Sequence, residues 1–179
     1  MLDFSNSKIL IVGDVMLDKY YFGKVDRISP EAPVPIVNIQ KEESRLGGAS
    51  NVANNIVSLG GHSLLCGVIG HDLFGKEIER ISRHKNIDTF LLKTSSPTIT
   101  KARIIGGKQQ IVRVDYEDKS ELNADNKKLF RDTISRILPE YDILVISDYG
   151  KGLISEDLCR YLIKLAHKYD KKVIIDPKG

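Results

Sequence analysis

Four short apolar runs constrain this chain more than any other feature. They are residues 8–14 (KILIVGD), 63–69 (SLLCGVI), 142–146 (DILVI) and 172–175 (KVII). Each carries β-favouring residues with scarcely a polar break. A strand reads that way when both of its faces are buried, the condition of a parallel sheet held between helices. The segments between these runs have a helical period. Val52, Ile56 and Leu59 share one face of 51–59, and Phe74, Ile78 and Ile81 share one of 74–84. Leu129, Thr133, Ile134 and Ile137 do so over 126–138, and Leu158, Tyr161, Leu162, Leu165 and Ala166 over 157–169. Strand alternating with helix predicts an α/β layered domain with a mostly parallel sheet. At 179 residues the chain is long enough for one domain with a real core.

Two stretches break the rhythm. Residues 20–39 carry Pro30, Pro33 and Pro35 and end in an alternating tail, PVPIVNI. Residues 89–116 read as three short strands, TFLLK, TITKARII and QQIVRVDY, separated by the turn signals SSP and Gly106-Gly107. Period-two alternation buries only one face. The expectation is a small separate sheet that pairs 89–116 with a strand at 34–39. Standing beside an α/β crevice, it would act as a lid.

Composition excludes several classes. The 27 basic and 24 acidic residues leave a net charge of +3, and no Lys/Arg block of the kind nucleic-acid binders carry is present. No run approaches the ~18 apolar residues of a membrane-crossing helix. The start MLDFSNSKILIVGDV has no basic segment and does not read as a signal peptide. Cys66 and Cys159 fit no metal or disulfide spacing. They are expected as small buried apolar residues of a reduced, cytoplasmic protein, with no metal site.

Several motifs fall at predicted strand ends, where open α/β sheets bind ligands. GDVMLD places Asp14 and Asp18 just past the first core strand. Two carboxylates there can accept hydrogen bonds from a polyol, or one can cap the next element while the other is solvated. LGGASNVANN puts Gly47 and Gly48 directly ahead of a helix, with Asn51 in its first turn. That pattern suits close approach to a ligand or a plain glycine turn with Ser50 as N-cap. KARIIGGKQQIVRVDYE carries Lys101, Arg103, Gln110 and Arg113 on the lid strands, where they can meet a phosphate or coat a solvated face. SDYGKG and DPKG put Asp148 and Asp176 at strand ends, with Lys151 and Lys178 as possible phosphate contacts or ordinary loop residues. GHDLFGKE matches the start of a phosphate-cradling P-loop from Gly70 to Lys76. The next residue is Glu77, where Mg²⁺ needs a hydroxyl, so a nucleotide switch of the P-loop type is physically poor.

Taken together these motifs resemble a known family. G-G-A-S-N-V-A, six residues, Gly60, nine residues and Gly70 resemble the N-terminal signature of the PfkB, or ribokinase-like, carbohydrate kinases. GDVMLDKYYFGKVDRISPEAPVPIV, QQIVRVDYE, SDYGKG and DPKG are similar to the branch of that family that acts on heptose 7-phosphate. The likeness covers about residues 8–179. It implies a three-layer αβα body with a β-sheet lid. It implies ATP- and Mg²⁺-dependent phosphorylation of the anomeric hydroxyl of a sugar phosphate, and a homodimer formed through the lid. It carries sugar contacts onto Asp14, Asp18, Gly47, Gly48 and Asn51, with Arg103, Gln110 and Arg113 as substrate contacts from the lid. It places Lys178 and Asp148 toward the ATP phosphates. The family's second signature, D-T-x-G-A-G-D, which supplies the catalytic Asp, is not in this sequence. The expectation is therefore the N-terminal, sugar-binding portion of a longer kinase, inactive by itself. The alternative of another class is an inert sugar-phosphate-binding or lid-dimerisation module.

Overall fold

The four apolar runs become neighbours in one sheet. The computed structural model describes residues 4–118 and 122–178. Five strands, β1 (Lys8–Gly13), β4 (His62–Gly70), β5 (Asp88–Thr94), β8 (Ile143–Ser147) and β9 (Lys172–Asp176), lie in the order β5-β4-β1-β8-β9. All are parallel, with register pairs Ile9↔Ser63, Ile9↔Ile143, Leu64↔Asp88 and Ile143↔Lys172. Helices α1 (Ala49–Ser58) and α2 (Leu73–His84) cover one face; α3 (Ala124–Ile137) and α4 (Glu156–Lys168) cover the other.

Strand alternation sorts the core into two halves. Leu10, Val12, Cys66, Leu144 and Ile146 pack against Phe130, Ile134, Leu158 and Leu162. Ile11, Leu65 and Val145 pack against Ala49, Ala53, Ile78 and Ile81. Each large apolar side chain so buried contributes roughly 1.5–3 kcal/mol. Three helices start on side-chain caps: Asp72 on α2, Asn123 on α3 and Ser155 on α4. Helix α1 has Gly48 at its N-cap and no side-chain cap, and Ser50 instead donates backwards to Gly47 O and Met16 O.

Some apolar positions fall elsewhere than their periodicity predicts. On α3 it is Phe130 that is buried with Ile134, while Leu129 is exposed. Leu59 lies just beyond α1 and is exposed, and Cys159 is only half-buried.

A second sheet rises from the carboxyl end of the first, in the order β3-β2-β6-β7. It is built from β2 (Val15–Ile28), β3 (Pro35–Gly48), β6 (Thr100–Gly106) and β7 (Gln109–Tyr116). This corrects the sequence reading in three respects. Residues 89–93 do not join it: they form most of β5, paired with β4 at the edge of the central sheet. The reason lies in the run itself, since Phe90 and Leu92 pack on one half of the core and Leu91 on the other. Second, β6 pairs in parallel with β2, not with the strand that begins at Pro35. Third, 15–28 and 35–48 are two long antiparallel strands. Pro30 and Pro33 sit in the connection at their tip, and Pro35 opens an outer strand, where a missing N–H is tolerated.

Residues in register share a face of this sheet. One face carries Asp18, Tyr20, Glu43, Arg45, Lys101, Arg103, Arg113 and Asp115. The other carries Val25, Ile39, Val112, Val114 and Tyr116, all exposed. At its base this apolar face meets the body, where Tyr116 and Phe74 of α2 are 5.4 Å apart between ring centroids.

Candidate functional site

The chain leaves β1 toward β4 on one side and reaches β8 on the other, so the order of the central sheet reverses between β1 and β8. Crevices at such points are where α/β sheets bind ligands. Asp14 stands there, 1% exposed. Its Oδ2 accepts the N–H groups of Tyr149 (2.9 Å) and Lys151 (3.1 Å), and its Oδ1 accepts that of Leu153 (3.3 Å). Burial pushes the Asp14 pKa up; the three donors oppose this and the nearby Asp148 charge adds to it. The carboxylate thus shapes the loop after β8. That loop also reaches the second sheet, because the Lys151 ammonium pairs with Glu117, just past β7.

Asp148 and Lys178 come together at the ends of β8 and β9. Asp148 Oδ1 accepts the Gly150 N–H at 2.7 Å, and the Asp148 N–H donates to Asp176 O at 2.9 Å. The Lys178 side chain lies across Gly150, so close that a Cβ there would come within 2.7 Å of Lys178 Cδ.

Asp18, Gly47, Asn51 and Arg103 form a second group. A Cβ on Gly47 would lie 2.5 Å from Asp18 Oδ2. Gly48 has φ +54°, and a Cβ there would lie 2.4 Å from Asp14 O, the oxygen that accepts the Ala49 N–H at 3.0 Å. The glycine pair thus lets the end of β3 pass beneath both aspartates. Asp18 and Asn51 line one open cavity of about 580 Å³, together with Tyr20, Arg45 and Lys85. Arg103 Nη1 donates to Asp18 Oδ1 at 2.6 Å. Burial works to lower the Arg103 pKa, but the Asp18 hydrogen bond and charge outweigh it and hold the guanidinium above its ordinary value.

Two predicted contacts stand further out. Arg113 is in register with Arg103, yet its guanidinium is engaged by Asp115 at 2.8 and 3.1 Å. Gln110 lies opposite Ile105 near the outer end of the sheet and is exposed. Among the described residues no group of His, Cys, Asp and Glu is placed to hold a metal ion.

The P-loop look-alike ties the start of α2 to the segment that leads into β6. Asp72 caps α2 by accepting the Gly75 N–H, and the same carboxylate takes the N–H and the hydroxyl of Thr98, each bond 2.7 Å. Thr98 Oγ1 in turn accepts the Gly70 N–H at 2.8 Å. The N–H groups of Gly70, His71, Gly75 and Lys76 are all taken by acceptors of the chain itself. Lys76 is exposed, as a surface lysine should be, and Glu77 pairs with Arg80.

Sequence reasoning missed Tyr20, Arg45, Glu117 and the pairing of Asp72 with Thr98. Arg45 directly precedes the Leu-Gly-Gly turn and alternates with Glu43, a signal that a strand enters the turn. The other contacts join distant segments and leave no local pattern.

Comparison with known proteins places this geometry. The model of the pfkB family carbohydrate kinases matches residues 6–179. The bifunctional protein HldE of Helicobacter pylori (strain P12) is 47% identical over 174 residues, which are 96% of this chain and 38% of that protein. The D-beta-D-heptose 7-phosphate kinase of Bordetella bronchiseptica is 44% identical over 176 residues, 98% of this chain and 55% of that protein. The chain thus spans about two fifths to just over half of these relatives. Among solved structures, Escherichia coli phosphofructokinase-2 in complex with fructose-6-phosphate superposes with TM-score 0.71 at 21% identity, over 97% of this chain and 55% of that one. A carbohydrate kinase from Agrobacterium tumefaciens gives TM-score 0.70 at 19% identity, over 94% and 53%. These structural likenesses concern the fold. With the family model covering nearly every residue, the chain belongs to the pfkB family of carbohydrate kinases.

Proposed function

We propose that these residues form the sugar-phosphate-binding and lid portion of a heptose 7-phosphate kinase. The full-length protein would move the γ-phosphoryl of ATP to the anomeric hydroxyl, giving the 1,7-bisphosphate for ADP-heptose and lipopolysaccharide core synthesis. The observation that carries the reading is that Asp18 and Asn51 line one cavity while Gly47 and Arg103 lie against Asp18. A carboxylate, an amide and a guanidinium can meet sugar hydroxyls and a phosphate, while the glycines admit the ligand to the backbone. Relatives at 44% and 47% identity support the substrate class.

Nucleotide would lie over the ends of β8 and β9. Lys178 offers a cation there and Asp148 a carboxylate able to face a magnesium ion, so the residues present fit Mg-ATP. The bound nucleotide supplies the transferred phosphoryl, and Lys178 would steady its charge. The catalytic Asp signature of the family is not in this sequence, and we propose that residues 1–179 alone do not turn over. The exposed apolar face of the second sheet, with Val112 and Val114, would be covered by the same face of a second copy. Such a reaction would take place in the cytoplasm.

The test is calorimetric titration of the 179-residue chain with heptose 7-phosphate. Binding should be seen, and Asp18→Ala should weaken it by about 1.5–3 kcal/mol, as expected for a lost hydrogen bond to a charged group. Wild-type-like affinity in both Asp18→Ala and Asn51→Ala would remove the cavity from the sugar site.

A further inference from the structure

A cavity of about 210 Å³ lies at the base of the second sheet. None of Asp18, Gly47, Asn51 and Arg103 lines it. Val15 does, and the alternation of β2 puts Val15 on the face opposite Asp18. Four pieces of chain converge on this space: the end of β5 with Thr94 and Ser95, Asp118 beyond β7, Asn126 in the first turn of α3, and Lys151 and Leu153 of the loop after β8. Three neutral groups on its wall lack partners. The Thr94 hydroxyl is buried with no hydrogen bond. Among the described residues the Ser95 hydroxyl and the Asn126 side-chain amide have none either. Buried polar atoms are ordinarily paired, and an exception calls for an occupant.

The charged groups of the wall are engaged already. Asp14 holds three N–H groups, Lys151 pairs with Glu117, and Asp118 Oδ2 accepts the Ser96 hydroxyl at 3.2 Å. An anion would meet two carboxylates and an ammonium that is taken. A cation would meet the positive end of the 14-residue α3. These opposed fields leave a neutral molecule. A nucleobase would find no ring to stack on, since no aromatic residue lines the cavity. A polyol fits, because its hydroxyls both donate and accept while its carbons meet Val15, Val68 and Ile99. The volume is below the ~300–1,000 Å³ of drug-sized sites, which suits a molecule the size of glycerol or a cyclitol.

We propose that this cavity is a second binding site, for a small uncharged polyol. It is separate from the sugar-phosphate site proposed above and stands whether or not that reading holds. The Thr94 and Ser95 hydroxyls and the Asn126 amide take the ligand's hydroxyls. A ligand seated there ties the exit of β5 and the start of α3 to the loop after β8.

The test uses the 179-residue chain and three probes: glycerol, myo-inositol and inorganic phosphate. Magnetic resonance follows the backbone N–H signals of Thr94, Ser95 and Leu153 and the side-chain amide signals of Asn126 and Asn51. At least one of the two polyols should shift the first four together along one saturating curve, and phosphate should not. Thr94→Val removes a hydroxyl that has no partner in the free protein, so the variant should melt no lower than the wild type. It should weaken the polyol by about three- to tenfold, and Asn126→Ala should do the same. Three results would overturn the site: no saturable shift with either polyol, shifts confined to Asn51, or wild-type affinity in both variants. Phosphate saturating these signals while the polyols leave them unmoved would do so as well, by showing an anion site.

Discussion

Thr98 is bound twice by Asp72, through its backbone N–H and through its hydroxyl, both at 2.7 Å. Thr98 lies two residues before β6, and the next residue begins the pairing of β6 with β2 through the bond from Leu17 N–H to Ile99 O at 2.9 Å. A slip of one residue in that pairing would carry Arg103 to the other face of the sheet, away from Asp18. The turn that imitates a phosphate loop therefore sets the register of the second sheet.

Thr98→Val should remove a buried hydroxyl from two hydrogen bonds and leave the Gly70 N–H without its acceptor. The expected destabilisation is about 1–3 kcal/mol. Hydrogen exchange should rise in β6, and Thr98→Ser should restore protection. Exchange confined to the first turn of α2 would show that Asp72 is only a helix cap.

Acid should find the same junction. Burial tends to raise the Asp72 pKa, but the hydrogen bonds from Thr98, Gly75 and Phe74 outweigh it and hold the carboxyl below its ordinary 3.8. A carboxylate lowered in the folded state stabilises above the unfolded pKa, and that contribution is lost as pH falls through the folded value. Chemical denaturation of the wild type should lose stability below about pH 3.8, and Asp72→Asn should flatten that part of the profile. An identical acid limb in the variant would assign the loss to other groups.

Asp14→Ala should unfasten the loop after β8. Three N–H groups, of Tyr149, Lys151 and Leu153, lose their acceptor together. A loss of ~2–4 kcal/mol is expected, since each partly buried donor left unpaired costs ~1–3 kcal/mol before water relieves it. Urea denaturation measures the loss, and protease cutting within 148–153 should appear at native temperature. A loop that stays protected would show that the Gly152 turn holds itself.

The apolar face of the second sheet should govern association. Val112→Asp with Val114→Asp places charge on strands whose partners in register are Ile104 and Ala102. Sedimentation velocity should show a dimer for the wild type and a monomer for the double variant. A wild type that sediments as a monomer would sink the lid interface.

Four of the five central strands were legible as unbroken apolar runs, as KILIVG is for β1; β5 was read into the second sheet, and on the edge strand β9 the run's Ile174 and Ile175 are exposed. The helices were legible from their period, with ends off by no more than two residues. The second sheet was less so. Its long hairpin, VMLDKYYFGKVDRI against PIVNIQKEESRLGG, has charges on both faces, such as Lys19 and Asp18 on adjacent residues, so no clean alternation marks it. The site divides the same way. Gly47, Gly48, Asp18 and Asn51 announce themselves by sequence neighbourhood, whereas the Asp18–Arg103 contact joins residues 85 apart and depends on register alone.

The middle strand has one further consequence, and it concerns time. β1 lies between β4 and β8, and its first residue is closed by Asp142, 134 residues away, through the bond from Lys8 N–H. On a ribosome making ~5–20 residues per second, roughly 7 to 27 seconds separate the two. Through that interval the nascent chain can zip β1 to β4 but must carry an open strand edge on the other flank. Such edges invite pairing with other chains, so this protein should lean on chaperones during synthesis more than its finished core would require.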